Sequence, residues 1–138
     1  MYITKIAIKK NAVTVSFFED GKSKTIEQLV GSLPEGMTEA LRRLRSPLAL
    51  HTGLKDEPIV VEALEMGSTS SGDEAVRLTG RLKTPFADNV LKTGFIPLPD
   101  DEPDTYFGSD VEWVGRLVGE TEDWLKNPPT PEQGELEL

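Results

Sequence analysis

The sequence predicts an α+β domain, with an antiparallel sheet of about five strands, two helices covering one face of it, and a disordered acidic C-terminal tail. Three observations carry this expectation. Short runs with apolar residues at alternate positions recur through the first 98 residues, separated by turn signals. Two further runs repeat apolar residues every three or four positions, around 37–44 and 111–125. From position 127 onward proline and acid dominate, leaving little apolar surface to offset the entropy of ordering the chain. Residues 1–126 are therefore expected to form one globular domain and 127–138 a flexible, proline-rich tail.

The first elements are strands. Ile6 and Ile8 alternate with Ala7 and Lys9, and Val13, Val15 and Phe17 alternate with Thr14 and Ser16 across Lys10-Asn11, which predicts a β-hairpin. Asp20-Gly21 marks a second turn, after which Lys22 to Leu29 adds a weaker third strand. Met37, Ala40, Leu41 and Leu44 predict a short amphipathic helix with Arg42, Arg43 and Arg45 on its other faces and Pro47 as its stop. Ile59 to Met66 reads as a mostly buried strand, GSTSSGDE as a turn, and Val76, Leu78, Gly80 and Leu82 as the apolar face of a returning strand. Val90 to Leu98 predicts a last strand, broken by Gly94. Ser109 and Glu112 have capping-box spacing, and Val111, Val114, Leu117, Val118, Thr121 and Leu125 form the stripe of a helix that ends before Pro128-Pro129.

Composition narrows the functional classes. The 138 residues include no cysteine, which excludes disulfides, thiolate-bound zinc and a thiol nucleophile and fits a reducing cytoplasm. No apolar run reaches the roughly 18 residues of a bilayer span. One histidine, His51, in a loop-like Leu-His-Thr-Gly context, leaves no catalytic triad to assemble, and the expectation is a protein that is not an enzyme and has no cofactor. GSTSSG lacks the lysine of a phosphate loop. Asp100, Asp101, Glu102 and Asp104 lack the glycine and closing glutamate of a calcium loop and read as a solvated acidic segment, so no metal ligand is assigned.

Charge is distributed unevenly. Of the net −9, residues 1–98 carry 13 Lys/Arg against 12 Asp/Glu, whereas residues 99–138 carry 2 against 12. Any nucleic-acid contact therefore belongs to the first part of the chain. The candidate is the polar face of the returning strand, where Arg77, Thr79, Arg81 and Lys83 lie at alternate positions and the three cations Arg77, Arg81 and Lys83 could follow a single-stranded DNA backbone; Lys5, Lys9 and Lys10 extend it if the first hairpin lies alongside. Alternating charge on an exposed strand is equally a solubility device. The aromatic residues fall mostly at core positions, so stacking platforms for bases are scarce.

The tail carries the most specific motif. Gln133, Leu136 and Leu138, in QGELEL, resemble the hexapeptide form of the bacterial sliding-clamp-binding motif, displayed after a proline-stiffened spacer. Gly134 stands where that motif usually has leucine. The resemblance implies that the leucines fill an apolar pocket of the clamp while the glutamine makes polar contacts at its rim. MYITKIAIKK, IVVEALEMG and VRLTGRLKT also resemble a family of small uncharacterised tailed-bacteriophage proteins encoded near replication and recombination genes, for which no site residues are established. This resemblance implies a cytoplasmic location in an infected bacterial host. Together these readings predict a non-enzymatic accessory protein of phage DNA replication or recombination that docks on the host sliding clamp. Two alternatives stay open: an acidic DNA mimic that blocks a host nuclease or defence factor, and a virion structural or assembly protein.

Overall fold

A computed structural model describes residues 2–31, 33–54, 57–84, 88–98 and 112–126. The element order is β1 (Tyr2–Lys9), β2 (Ala12–Glu19), β3 (Lys22–Leu29), α1 (Glu35–Arg42), α2 (Arg45–Thr52), β4 (Ile59–Ser68), β5 (Glu74–Lys83), β6 (Asp88–Lys92), β7 (Ile96–Pro97) and α3 (Glu112–Lys126). The sheet runs β3-β2-β1-β4-β5-β6, with β7 also on β5, and every pairing is antiparallel. Two meanders, β1–β3 and β4–β7, thus join side by side through β1 and β4. The predicted α+β class holds.

Among the described residues the strand count is seven rather than about five, chiefly because the run from Val90 splits at Thr93-Gly94-Phe95. Thr93 explains why both halves still follow the same edge of β5. Its main-chain N–H donates to the Leu78 carbonyl at 3.0 Å, and its hydroxyl accepts from the Leu78 N–H at 3.0 Å while donating to the Gly94 carbonyl at 2.7 Å. One buried side chain therefore stands in for a missing ladder partner.

Pro47 does not stop the helical run. It interrupts the run at Arg43-Leu44 and then sits in the first turn of α2, where a residue without an N–H costs nothing because those amides have no intrahelical acceptor. His51 accordingly lies in the last turn of α2 rather than in a loop, and it is exposed. The helix ends at Gly53, whose φ of 73° is the left-handed cap that glycine adopts without strain.

The inward face of the sheet, with Ile6, Val13, Val15, Leu64, Val76 and Leu78 buried, meets Met37, Leu41, Leu44 and Leu48 from α1 and α2. Gly80 permits the close approach of α2, since a Cβ there would collide with the Leu48 side chain and the Val60 carbonyl oxygen. α3 packs chiefly on α1, with Arg43 over the Trp113 ring at 5.3 Å and Glu120 against Gly36, so the two helices are antiparallel. Its buried seam is Val114, Leu117, Thr121 and Trp124. Trp124 takes the place expected of Leu125, which with Val118 only flanks the core. Ser109, Val111 and the expected capping box lie outside the described residues, as does the whole 127–138 tail. Among the described residues no helix is long and apolar enough to cross a membrane.

Candidate functional site

The outward sheet face positions the predicted basic stripe. Arg77, Thr79 and Arg81 share that face of β5, as the period of two requires. The stripe is not bare cation. Arg77 donates from Nε to Glu65 at 2.8 Å, forms a second, shorter bond from its terminal nitrogen, and stacks over Phe95 at 4.6 Å. Arg81 Nε lies 3.2 Å from both carboxylate oxygens of Glu62. The arginine side chains are only 29% and 17% exposed, so a phosphate has to displace partly buried carboxylates to reach them. The Lys83 side chain lies outside the described residues.

The first hairpin does not extend this stripe. β1 lies against β4 rather than β5, and Lys5 is the register partner of Glu65, giving an alternating row Lys5–Glu65–Arg77 across three strands. Such a row neutralises itself and shows no single sign of charge to a polyanion.

Lys9 and Lys10 belong instead to a groove that sequence reasoning missed. The β1–β4 ladder ends at Ala7–Ala63, and beyond that pair the two meanders diverge. The gap, with a volume of about 800 Å³, is floored by Ile8, Leu33, Leu41, Ile59 and Val61. Its walls carry Lys9, Lys10, Arg42, Arg45 and Arg81 against one carboxylate, Glu62. Arg42 is shared with Glu39, and Arg45 donates to the Glu57 carbonyl at 2.6 Å. Glu39 also bonds Arg43 at 2.9 Å, and the hydrogen bonds from Arg42 and Arg43 hold its carboxyl below the ordinary glutamate value of 4.5. The sequence signal was the cluster Arg42, Arg43, Arg45. Its meeting with Lys9-Lys10 is a tertiary event.

A second cavity, of about 420 Å³, lies between the start of β1 and α3, lined by Ile3, Met66, Leu98, Val114 and Val118. Among the described residues no group of three His, Asp or Glu side chains could hold a metal ion. Gln133, Leu136 and Leu138 lie outside them as well. No protein-family model, curated protein or solved structure matches the chain.

Proposed function

We propose that this chain is a non-enzymatic accessory protein of tailed-phage DNA replication or recombination, and that it docks on the bacterial sliding clamp through Gln133, Leu136 and Leu138. One observation supports the reading above the others: the described residues between Ile3 and Leu125 assemble a hydrophobic core among themselves. Leu136 and Leu138 are the only large apolar groups after Leu125, and a partner pocket is where they gain most from leaving water. Burial at about 1.5–3 kcal/mol for each leucine, together with the hydrogen bonds of the peptide and less the cost of ordering the segment, gives a contact of roughly micromolar strength.

The same full-length chain, titrated calorimetrically into a bacterial sliding clamp, is expected to saturate in the micromolar range. Leu136→Ala with Leu138→Ala should abolish the heat while circular dichroism shows the fold intact. A parent protein that gives no saturation at tens of micromolar, where a known clamp peptide binds, removes the clamp from the proposal. The folded body's own contribution is proposed to include single-stranded DNA contact through Arg77, Arg81 and Lys83. The carboxylates on Arg77 and Arg81 make this the weaker arm of the proposal.

A further inference from the structure

We infer that the basic, apolar-floored groove between β1 and β4 is a docking site for this chain's own acidic tail, so that the segment carrying Leu136 and Leu138 is masked until a partner competes for it. The inference concerns the same tail as the clamp reading but needs no clamp.

Three observations converge on that occupant. Charge is the first: five Lys/Arg side chains line the groove with Glu62, and of these Arg42 and Arg81 are paired with Glu39 and Glu62, while Glu135 and Glu137 alternate with the tail leucines and Glu132 precedes them. Among the described residues neither Lys9 nor Lys10 has a carboxylate partner, so these two are the cations that an incoming acid neutralises at least cost. Shape is the second. The β1–β4 ladder stops at Ala7–Ala63, leaving Ile8-Lys9 and the start of β4 without ladder partners across the gap, as a strand-like peptide requires. Alternation then works for a Leu-x-Leu segment, because residues two apart point the same way, placing both leucines on the Ile8, Leu41 and Val61 floor and Glu135 and Glu137 toward the cationic rims.

Reach is the third observation. α3 is antiparallel to α1, passing Arg43 at Trp113 and Gly36 at Glu120, and Lys126 lies six residues further on. Its last turn therefore projects past the start of α1, the end of that helix that follows the groove residue Leu33 in the chain. The nine residues 127–135, at roughly 3.1 Å each in extended form, span about 28 Å before Leu136. A nucleic acid is the poorer fit, because no aromatic side chain lines the groove among the described residues and the floor offers aliphatic carbon where bases want stacking surfaces.

The test uses the full chain with its own tail disarmed by Leu136→Ser and Leu138→Ser, titrated against a fluorescein-labelled peptide of residues 127–138. Half-saturation near 0.1 mM is expected, weakened at least tenfold by Lys9→Glu with Lys10→Glu and lost when the peptide's leucines become serine. At that affinity a tethered tail with an effective concentration of about 1 mM is mostly bound, so the parent chain should take the peptide about tenfold more weakly than the disarmed one. Both lysines are exposed, and an unchanged thermal transition of the charge-reversed protein shows that its fold is intact. Absence of saturation to 1 mM overturns the inference, as does equal binding by the charge-reversed protein or by the serine peptide. Equal binding by parent and disarmed chains removes the intramolecular occupant. A labelled oligothymidylate that binds in a Lys9/Lys10-dependent way where the peptide does not makes the groove a nucleic-acid site instead. No readout contains a clamp, so this inference and the clamp reading fail independently.

Discussion

At the scale of single residues, the fold depends on side chains that repair local breaks in regular structure. Thr93 is the clearest case, since its hydroxyl is the acceptor for the Leu78 N–H in the middle of the core strand β5. Thr93→Val keeps the shape and removes that acceptor, leaving a buried donor unsatisfied, and should destabilise the protein by about 1–3 kcal/mol in urea unfolding. A loss well below this range would mean that Leu78 finds another partner. Thr121 is also fully buried, but its hydroxyl donates at 2.7 Å to the Leu117 carbonyl within the same helix, so its polarity is satisfied locally. Glu39 shows how local pairing couples to pH. Its lowered pKa favours the folded form above about the ordinary glutamate value, and this contribution fades as pH falls through the carboxylate range and releases Arg42 and Arg43. The Glu39 side chain is 35% exposed and its pairs stand at the surface, so the stability contribution is small and the larger consequence is for the charge that Arg42 presents at the groove.

At the scale of elements, β5 shows what strand pairing does to a charge pattern. Alternation alone places Arg77, Arg81 and Lys83 on one face, and β4 then sets Glu65 and Glu62 against the two arginines. If single-stranded DNA is bound here, alanine at all three positions should weaken oligonucleotide binding and reduce the salt slope by about 0.7 for each phosphate that is no longer neutralised. Binding unchanged by the triple substitution, or absent from the parent at low salt, ends the DNA arm. Circular dichroism of the variant guards against a trivial loss of fold, because Glu62 and Glu65 lose their partners. The helices show the complementary lesson. Pro47 was legible as a break, but whether a helix resumes after a break depends on whether the next residues have something to cover, and Leu48 and Ala49 do: they bury against β4 and β5. In α3 the stripe was legible to within one position, and the choice of Trp124 over Leu125 came from packing on α1 rather than on the sheet alone.

At the scale of the whole molecule, the tail and the body are proposed as one ligand with two competing sites, the groove and the clamp. Gly134→Leu restores the residue that clamp-binding peptides usually have there. It should tighten clamp binding, with a gain bounded by the roughly 1.5–3 kcal/mol of one buried leucine and smaller if the interface stays partly wet. Calorimetry on the full-length variant against the same clamp reads this directly, and an affinity equal to or weaker than that of the parent would mean that the resemblance to the clamp motif stops short of its second position.

The α+β class, the hairpins at Lys10-Asn11 and Asp20-Gly21, the turn through Gly72 and the two amphipathic runs were all determined by the sequence alone. The reason is that each rests on local periods and turn chemistry involving neighbours a few positions apart. The pairing of β1 with β4 was not legible, because these strands are separated by β2, β3 and two helices, and nothing local specifies which edges meet. That single non-local choice places Glu62 and Glu65 between the first hairpin and the arginines of β5, and it brings Lys9 and Lys10 to the same gap as Arg42, Arg45 and Arg81. A charge's neighbours along the chain are written in the sequence, but the neighbours that set its local field, across a low-dielectric core and between strands, are chosen only when the chain folds.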